Sequence, residues 1–239
     1  MAPKGLPNAI SVIAVGNEGT LTSFPCYYVD KIAVGPTAKG SIDINAPVEA
    51  NLERVAKAYG VRARDLTAIV LDRPRHSEII EKIRHVGARI KLISDGDVAG
   101  AIATAMEDSG VNILFGIGGA PEAVLAAAAL KCLGGEMQVK MWPKDEEERG
   151  KILDMGYSDR DFDRVYGTED LVKGDSIIFC ATGITGGDFL PGVRYEGSVA
   201  ITNSVAMRAK TTTVRYVTAH HNLDIKTIPS RTEAREIEI

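Results

Sequence analysis

Residues 66–133 read LTAIVLDRPRHSEIIEKIRHVGARIKLISDGDVAGAIATAMEDSGVNILFGIGGAPEAVLAAAALKCL, and this stretch decides the fold. Three short apolar runs in it are typical of strands: 66–71, 89–93 and 111–115. Each is followed by a segment whose apolar residues recur at helical spacing: 77–86, 98–106 and 120–133. Strands and helices that alternate at this pitch predict a layered α/β fold with parallel central strands.

The segment before this stretch adds strands and one helix. Apolar runs at 9–15 and 29–34 predict strands, and the turn residues at 17–19 predict a hairpin-like start that leads into 20–24. Apolar residues at helical spacing predict a helix at 47–59.

The segment after it predicts a charged helix at 145–154, whose acidic residues form a solvated face. Strands without intervening helices follow at 176–181, 199–207 and 211–218. This part is therefore expected to be antiparallel, which makes the central sheet mixed. We divide the chain into the remainder of an N-terminal domain at 1–60 and a C-terminal α/β domain at 61–239, with one continuous domain as the alternative.

Composition excludes several classes of protein. The 28 basic and 32 acidic residues give a formal charge of −4, which argues against a nucleic-acid-binding surface. No apolar run is long enough to span a bilayer and no secretory signal is present, so we expect a soluble, cytoplasmic protein that binds no membrane. Three widely spaced cysteines predict reduced thiols rather than disulfides or a zinc site.

The first candidate loop is Arg73-Pro74-Arg75, between a predicted strand and helix. Arginine matches a phosphate with two parallel hydrogen bonds, and Pro74 restrains the loop before an anion binds. The alternative is a pair of solvated surface arginines. His76 is an N-terminal helix residue without an evident role.

The second candidate loop is Asp95-Gly96-Asp97. Asp97 is a natural N-cap for the following helix, which would explain this residue without a ligand. Capping does not explain Asp95 or the glycine between the two acids. Two carboxylates that flank a glycine can accept hydrogen bonds from sugar hydroxyls or hold a metal through water.

The third candidate loop, 116–122 (GIGGAPE), gives the strongest local signal. Its glycines allow close approach of a ligand to the backbone, and Pro121 suits a first helical turn. Glu122 is favoured near a helix N-terminus even without a ligand. A dinucleotide-binding fingerprint is weak here, because Pro121 replaces its third glycine and no acidic residue ends the next predicted strand.

Two further motifs have competing interpretations. The segment 181–188 (ATGITGGD) is either another ligand-facing loop or a glycine-rich connection between strands. His220 and His221 could bind a metal, but adjacent residues of a strand point to opposite faces. Motifs of serine hydrolases and P-loop enzymes are missing from the sequence.

Because the carboxyl ends of neighbouring parallel strands meet at one edge of a sheet, we expect the three candidate loops to share a crevice. One loop is cationic and two carry carboxylates, a combination that suits a divalent cation and a phosphate. The sequence therefore predicts chemistry on a phosphate ester.

Taken together, these motifs resemble the class II (GlpX-type) fructose-1,6-bisphosphatases. Matching segments occur in the family's order: 9–16 (AISVIAVG), Tyr28, 30–36 (DKIAVGP), 38–40 (AKG), 73–76 (RPRH), 95–97 (DGD), 116–122 (GIGGAPE) and 181–185 (ATGIT). The resemblance covers nearly the whole chain. It implies the layered α/β/α fold of the inositol monophosphatase-like sugar phosphatases.

The resemblance also implies an activity: hydrolysis of the 1-phosphate of fructose 1,6-bisphosphate in gluconeogenesis, with Mn²⁺ or Mg²⁺ as cofactor. It implies a homo-oligomer, a dimer or a tetramer. By position, Glu122 would be a metal ligand. A phosphate, the one that is not cleaved, would be held by Tyr28, Arg73, Pro74 and Arg75. The sugar and the neighbouring phosphate would be contacted by Asp95, Gly96, Asp97 and Gly119.

One departure from the family concerns the N-terminus. Members of the family begin with a further segment that carries additional acidic metal ligands and an Asp-Pro-Ile-Glu-Gly-Thr motif, and this sequence starts after that motif. We therefore expect a truncated chain, with the catalytic residues in the missing segment and almost no activity in residues 1–239 alone. The alternatives are a sugar-phosphate-binding module without catalysis, or a phosphatase for sedoheptulose 1,7-bisphosphate or an inositol phosphate.

Overall fold

The alternation predicted for the central stretch is present in the structure, a computed structural model that describes residues 2–226. The strands of this part are β1 (Ile10–Val15), β2 (Tyr28–Val34), β3 (Thr67–Leu71), β4 (Arg89–Ile93), β5 (Ile113–Gly119), β6 (Glu136–Met141), β7 (Tyr166–Gly167), β8 (Ile178–Gly183), β9 (Arg194–Glu196), β10 (Val199–Arg208) and β11 (Thr213–Asn222). The α-helices are α1 (Val48–Tyr59), α2 (Ser77–Val86), α3 (Asp97–Ala103), α4 (Ala120–Leu133), α5 (Glu146–Asp154), α6 (Asp159–Asp163) and α7 (Thr168–Leu171).

A six-stranded mixed sheet, in the order β4-β3-β5-β2-β6-β7, positions the candidate loops. β3 runs parallel to β4 and β5, so the loops that follow these three strands leave the sheet at the same edge. β2 is antiparallel to β5, and Tyr28 at its start lies opposite Gly119 at the end of β5. Tyr28 therefore reaches that edge as well.

A five-stranded antiparallel sheet contains β1, β8, β10 and β11 in this order, with β9 paired to β10. This sheet corrects one prediction: β1 does not form a hairpin with 20–24 but pairs with β8, where Ile10 lies opposite Gly183. Residues 20–24 contribute only an isolated bridge between Leu21 and Val172. The turn residues of 17–19 specify a change of direction, and the long-range pairing with β8 determines the partner.

Helices and sheets alternate in layers. Side chains of α1 and α2 pack on one face of the mixed sheet in one core cluster, and a second cluster holds α3 and α4 against its other face and against the antiparallel sheet. α4 lies between the two sheets, and its alanines at 126–129 are at most 2% exposed. Small side chains let the sheets approach the helix from both sides, which explains why this helix is rich in alanine. The layered α/β fold is thus confirmed.

The division of the chain at residue 60 stays a prediction. β1 and β2 precede this position, yet β1 pairs with β8 and β2 pairs with β5 and β6. Strand pairing across the boundary favours the alternative of one continuous domain, which we propose.

None of the helices in the described part of the chain is long and apolar enough to cross a membrane.

Candidate active site

The three candidate loops meet in a cleft of about 980 Å³ at the carboxyl edge of β3, β4 and β5. All but one of the candidate residues line it: Tyr28, Arg73, Arg75, Asp95, Gly96, Asp97, Gly119 and Glu122. Pro74 is the exception, since it does not line the cleft. It is the first residue of a short 3-10 helix between β3 and α2, where its fixed φ angle suits the turn. The parallel arrangement of β3, β4 and β5 thus brings together loops that are far apart in sequence.

The arginines of the first loop form hydrogen bonds with the protein, although the side chain of Arg75 is exposed. Arg75 donates from Nε and Nη2 to the carbonyl oxygen of Ile117, at 3.2 and 2.9 Å, and its guanidinium lies 5.3 Å from the centre of the Tyr28 ring. Arg73 forms an ion pair with Asp95, with 2.7 Å between Nη2 and Oδ1. A guanidinium has five N–H donors, so both arginines keep donors for a ligand.

His76, for which we predicted no role, is fully buried and joins the first and third loops. Its Nε2 accepts a hydrogen bond from the backbone N–H of Ile117 at 2.8 Å, so the proton of the neutral ring is on Nδ1, which donates to the carbonyl oxygen of Leu71 at 2.7 Å. Burial lowers the pKa of His76, and the positive charges of Arg75 and Arg73 lower it further. The neutral ring is therefore the form that fits.

Asp97 does not act as the N-cap that the sequence predicted. Gly96 occupies the N-cap position with φ of 85°, and Asp97 is the first residue of α3. The carboxylate of Asp97 instead accepts a hydrogen bond from Lys31, with 2.5 Å between Oδ2 and Nζ. Lys31 comes from β2 and is 3% exposed. Its signal in the sequence was the charged pair Asp30-Lys31 inside an apolar strand, because lysine is almost never fully buried unless it is paired.

The third loop needs its glycines for close packing. The φ angle of Gly116 is 145°, which favours glycine, and its Cα faces the ring of His76. A Cβ on Gly118 would collide with the carboxylate of Asp97, and a Cβ on Gly119 would collide with the carboxylate of Glu122. Gly118 thus makes room for the buried carboxylate of Asp97, whereas the exposed side chain of Glu122 is free to turn away from a Cβ on Gly119.

Glu122 is an exposed carboxylate in the first turn of α4, and it lines the cleft. Carboxylate oxygens are ligands that Mg²⁺ and Mn²⁺ prefer, so this side chain fits one position of such a metal site. Among residues 2–226, however, no group of three or more histidine, cysteine, aspartate or glutamate side chains could hold a metal ion. The described residues supply one candidate ligand and not a complete metal centre.

In the glycine-rich segment 181–188, Thr185 makes structural contacts, while Asp188 lines a neighbouring pocket together with Asp95 and Gly96. The hydroxyl of Thr185 donates to the carbonyl oxygen of Leu6 and accepts from the backbone N–H of Ala9, so it serves the N-terminal segment. Of this segment, only Ile184 lines the cleft.

His220 and His221 lie opposite Ile201 and Ala200 in β10 and point to opposite faces of the antiparallel sheet, as expected.

Another cation of the cleft, Lys144, was not found from the sequence. Its Nζ lies 5.6 Å from the centre of the Tyr27 ring. The carboxylate of Glu148 accepts hydrogen bonds from the backbone N–H groups of Tyr27 and Lys144, both at 2.8 Å. Glu148 is 6% exposed, so the prediction of a solvated acidic face for 145–154 was wrong at this residue.

Comparisons with known proteins agree with this geometry. Residues 1–221 match the family described as bacterial fructose-1,6-bisphosphatase, glpX-encoded. A class 2 fructose-1,6-bisphosphatase of Haemophilus influenzae is 42% identical over 237 residues, which cover 94% of this chain and 70% of that protein. Fructose-1,6-bisphosphatase 1 class 2 of Escherichia coli K12 is 39% identical over 239 residues, which cover 95% of this chain and 70% of that protein. The chain therefore belongs to the glpX-encoded family of bacterial fructose-1,6-bisphosphatases.

Proposed function

We propose that the cleft binds fructose 1,6-bisphosphate and that the protein hydrolyses its 1-phosphate, which yields fructose 6-phosphate and inorganic phosphate. Membership of the family supports the substrate. The observation that carries the proposal is the cleft itself, since the arginine loop, the paired carboxylates of the second loop and Glu122 all line it.

The proposed roles follow from the donors and acceptors that face the cleft. Arg73 and Arg75, with the hydroxyl of Tyr28, bind the phosphate that is not cleaved, because their remaining N–H groups are directional donors for phosphate oxygens. Pro74 acts indirectly, through the stiffness of the loop.

The second and third loops have the complementary task. The carboxylates of Asp95 and Asp97 accept hydrogen bonds from sugar hydroxyls, while Gly96 and Gly119 let the ligand approach the backbone.

We further propose that Glu122 is one ligand of a divalent cation, Mg²⁺ or Mn²⁺. When bound, such an ion supplies positive charge to the phosphoryl oxygens and lowers the pKa of a water molecule for attack on phosphorus. The other ligands would come from outside residues 2–226. On this proposal, residues 1–239 bind the sugar phosphate but release almost no phosphate by themselves.

One observation favours a second candidate function, a sugar-phosphate-binding module without catalysis. The described residues include a cleft lined by the cations Arg73, Arg75 and Lys144, but no group of three potential metal ligands. The two functions differ in the fate of the ligand, which is bound in both cases and hydrolysed in only one.

Two measurements together test the proposal. Calorimetric titration of the 239-residue chain with fructose 1,6-bisphosphate should show binding, and the protein expressed from its complete reading frame should release inorganic phosphate from this sugar when Mg²⁺ or Mn²⁺ is added. Binding without phosphate release under any divalent cation would establish the non-catalytic module. The absence of both binding and phosphate release would refute both functions.

A further inference from the structure

Lys31 is a buried cation beneath the cleft. It lies in the middle of β2, on the face that packs against α3 and α4, and it does not line the cleft. Its ammonium group contacts the carboxylate of Asp97 and lies 3.4 Å from the carbonyl oxygen of Gly119. A charge that has left water requires such partners, so the position of Lys31 is tied to the second and third loops at once.

Gly118 closes the space above this pair. A Cβ at this position would lie 2.9 Å from Nζ of Lys31 and would also collide with the carboxylate of Asp97. The ion pair is therefore packed between β2, the first turn of α3 and the end of β5. Asp97 reaches the cleft and Lys31 does not, so any effect of Lys31 on a ligand acts through Asp97.

Both carboxylates of the second loop are compensated, from different sides. Asp95 pairs with Arg73 at the rim of the cleft, and Asp97 pairs with Lys31 from below. A sugar with two phosphates brings several negative charges into this space. Without a cation beneath it, Asp97 would present an uncompensated negative charge to that ligand.

We infer that Lys31 is a positioning residue of the sugar-phosphate site, which fixes the carboxylate of Asp97 at the wall of the cleft and cancels its charge toward an anionic ligand. The identity of the sugar rests on the proposed function, whereas the effect of charge holds for any phosphate that enters the cleft.

The inference predicts an order of phosphate affinities among four proteins. Relative to the wild type, Lys31→Met removes one positive charge, Asp97→Asn removes one negative charge, and the double variant Lys31→Met/Asp97→Asn leaves the net charge unchanged. At low ionic strength, inorganic phosphate should therefore bind most tightly to Asp97→Asn, most weakly to Lys31→Met, and with intermediate affinity to the wild type and the double variant. We expect steps of roughly threefold or more for each unit of charge.

The matched control is Lys140→Met. Lys140 lies in β6, which neighbours β2, and it bonds to Asn45 outside the cleft. This variant should bind phosphate within twofold of the wild type, and melting curves should be recorded for all variants. If Lys31→Met does not fold, Asp97→Asn and the double variant can still be compared, because they differ only at residue 31. Asp97→Asn should then bind phosphate at least threefold more tightly than the double variant.

Affinities that do not follow the order of charge, or an equal loss in Lys140→Met, would overturn the inference and leave Lys31 with a purely structural role. Absence of phosphate binding to all four proteins would overturn it as well. Titrations with fructose 1,6-bisphosphate separate this result from the proposed function. If the phosphate series follows charge but the bisphosphate binds no better than phosphate, the inference stands and the proposed substrate fails.

Discussion

We propose that Arg75 serves both the fold and the ligand, because two of its donors hold the Ile117 carbonyl and the residue also lines the cleft. Arg75→Ala should raise KM for fructose 1,6-bisphosphate about tenfold to a hundredfold, since a hydrogen bond to a charged group contributes about 1.5–3 kcal/mol. kcat should change little, because the residue binds ground and transition states alike. Steady-state kinetics of the protein from its complete reading frame measure both constants.

The control is Arg89→Ala, since Arg89 is exposed and bonds to Asp65 and Thr67 outside the cleft. An equal rise of KM in both variants would count against a ligand role for Arg75. Unchanged kinetics in Arg75→Ala would do the same.

A substitution of Glu122 distinguishes a role in metal binding from a role in stabilising the N-terminus of α4. Glu122→Ala should lower metal-stimulated phosphate release about a hundredfold or more, because a lost charge-stabilising group in such sites costs this much. The melting temperature should fall by no more than about 4 °C, since a charge near a helix N-terminus contributes about 0.3–1 kcal/mol. Glu146→Ala, in the first turn of α5, removes a comparable charge away from the cleft. Retained activity with a large loss of melting temperature would assign Glu122 to the helix alone.

His76 predicts a pH dependence of stability. In the folded protein the pKa of His76 is lowered from its ordinary value of 6.5. The contribution of the neutral His76 ring to the free energy of unfolding is therefore complete above pH 6.5. It is lost as the pH falls from about 6.5 toward the lower folded pKa, because the unfolded state takes up the proton first. Denaturant unfolding between pH 8 and 5 should show a steeper loss of stability in the wild type than in His76→Gln, by up to about 1.4 kcal/mol per pH unit.

The control for this prediction is His85→Gln, which changes an exposed histidine in the last turn of α2. It should keep the slope of the wild type. Identical slopes for the wild type and His76→Gln would show that His76 does not require the neutral ring.

At the scale of elements, the end of β5 both packs against the Lys31–Asp97 pair and lines the cleft. Gly118→Ala should destabilise the protein by about 1–3 kcal/mol, because the added methyl group collides with the buried Lys31–Asp97 pair. Gly150→Ala, inside α5 with open space around its Cα, should instead stabilise it by about 0.5–1 kcal/mol. Denaturant unfolding measures both changes. A neutral Gly118→Ala would mean that the space above the ion pair is not tightly packed.

Some elements could be predicted from local pattern and others could not. The central strands and helices alternate in apolar period, which is visible in a short window. β6 was missed although Met137, Val139 and Met141 alternate with polar residues, because methionine is a weak strand signal. The partner of β1 begins 168 residues later, and turn residues nearby favoured a hairpin that did not form.

The residues of the candidate site were likewise predicted only in part from the sequence. The three loops were recognised because unusual residues cluster in sequence. Lys31 and His76 were missed, because their partners are a carboxylate 66 residues away and backbone groups of two other segments. Such pairings exist only once the chain is folded.

At the scale of the whole molecule, the central claim is that parallel β3, β4 and β5 deliver three loops to one binding site for a doubly phosphorylated sugar. At 25.5 kDa, the chain is within reach of two-dimensional amide NMR. The most direct test is therefore a titration with fructose 1,6-bisphosphate that follows the amide signals of 73–76, 95–97 and 116–122. Signals of all three loops should shift together and fit one dissociation constant. Shifts confined to one loop, or different constants for different loops, would contradict a shared site.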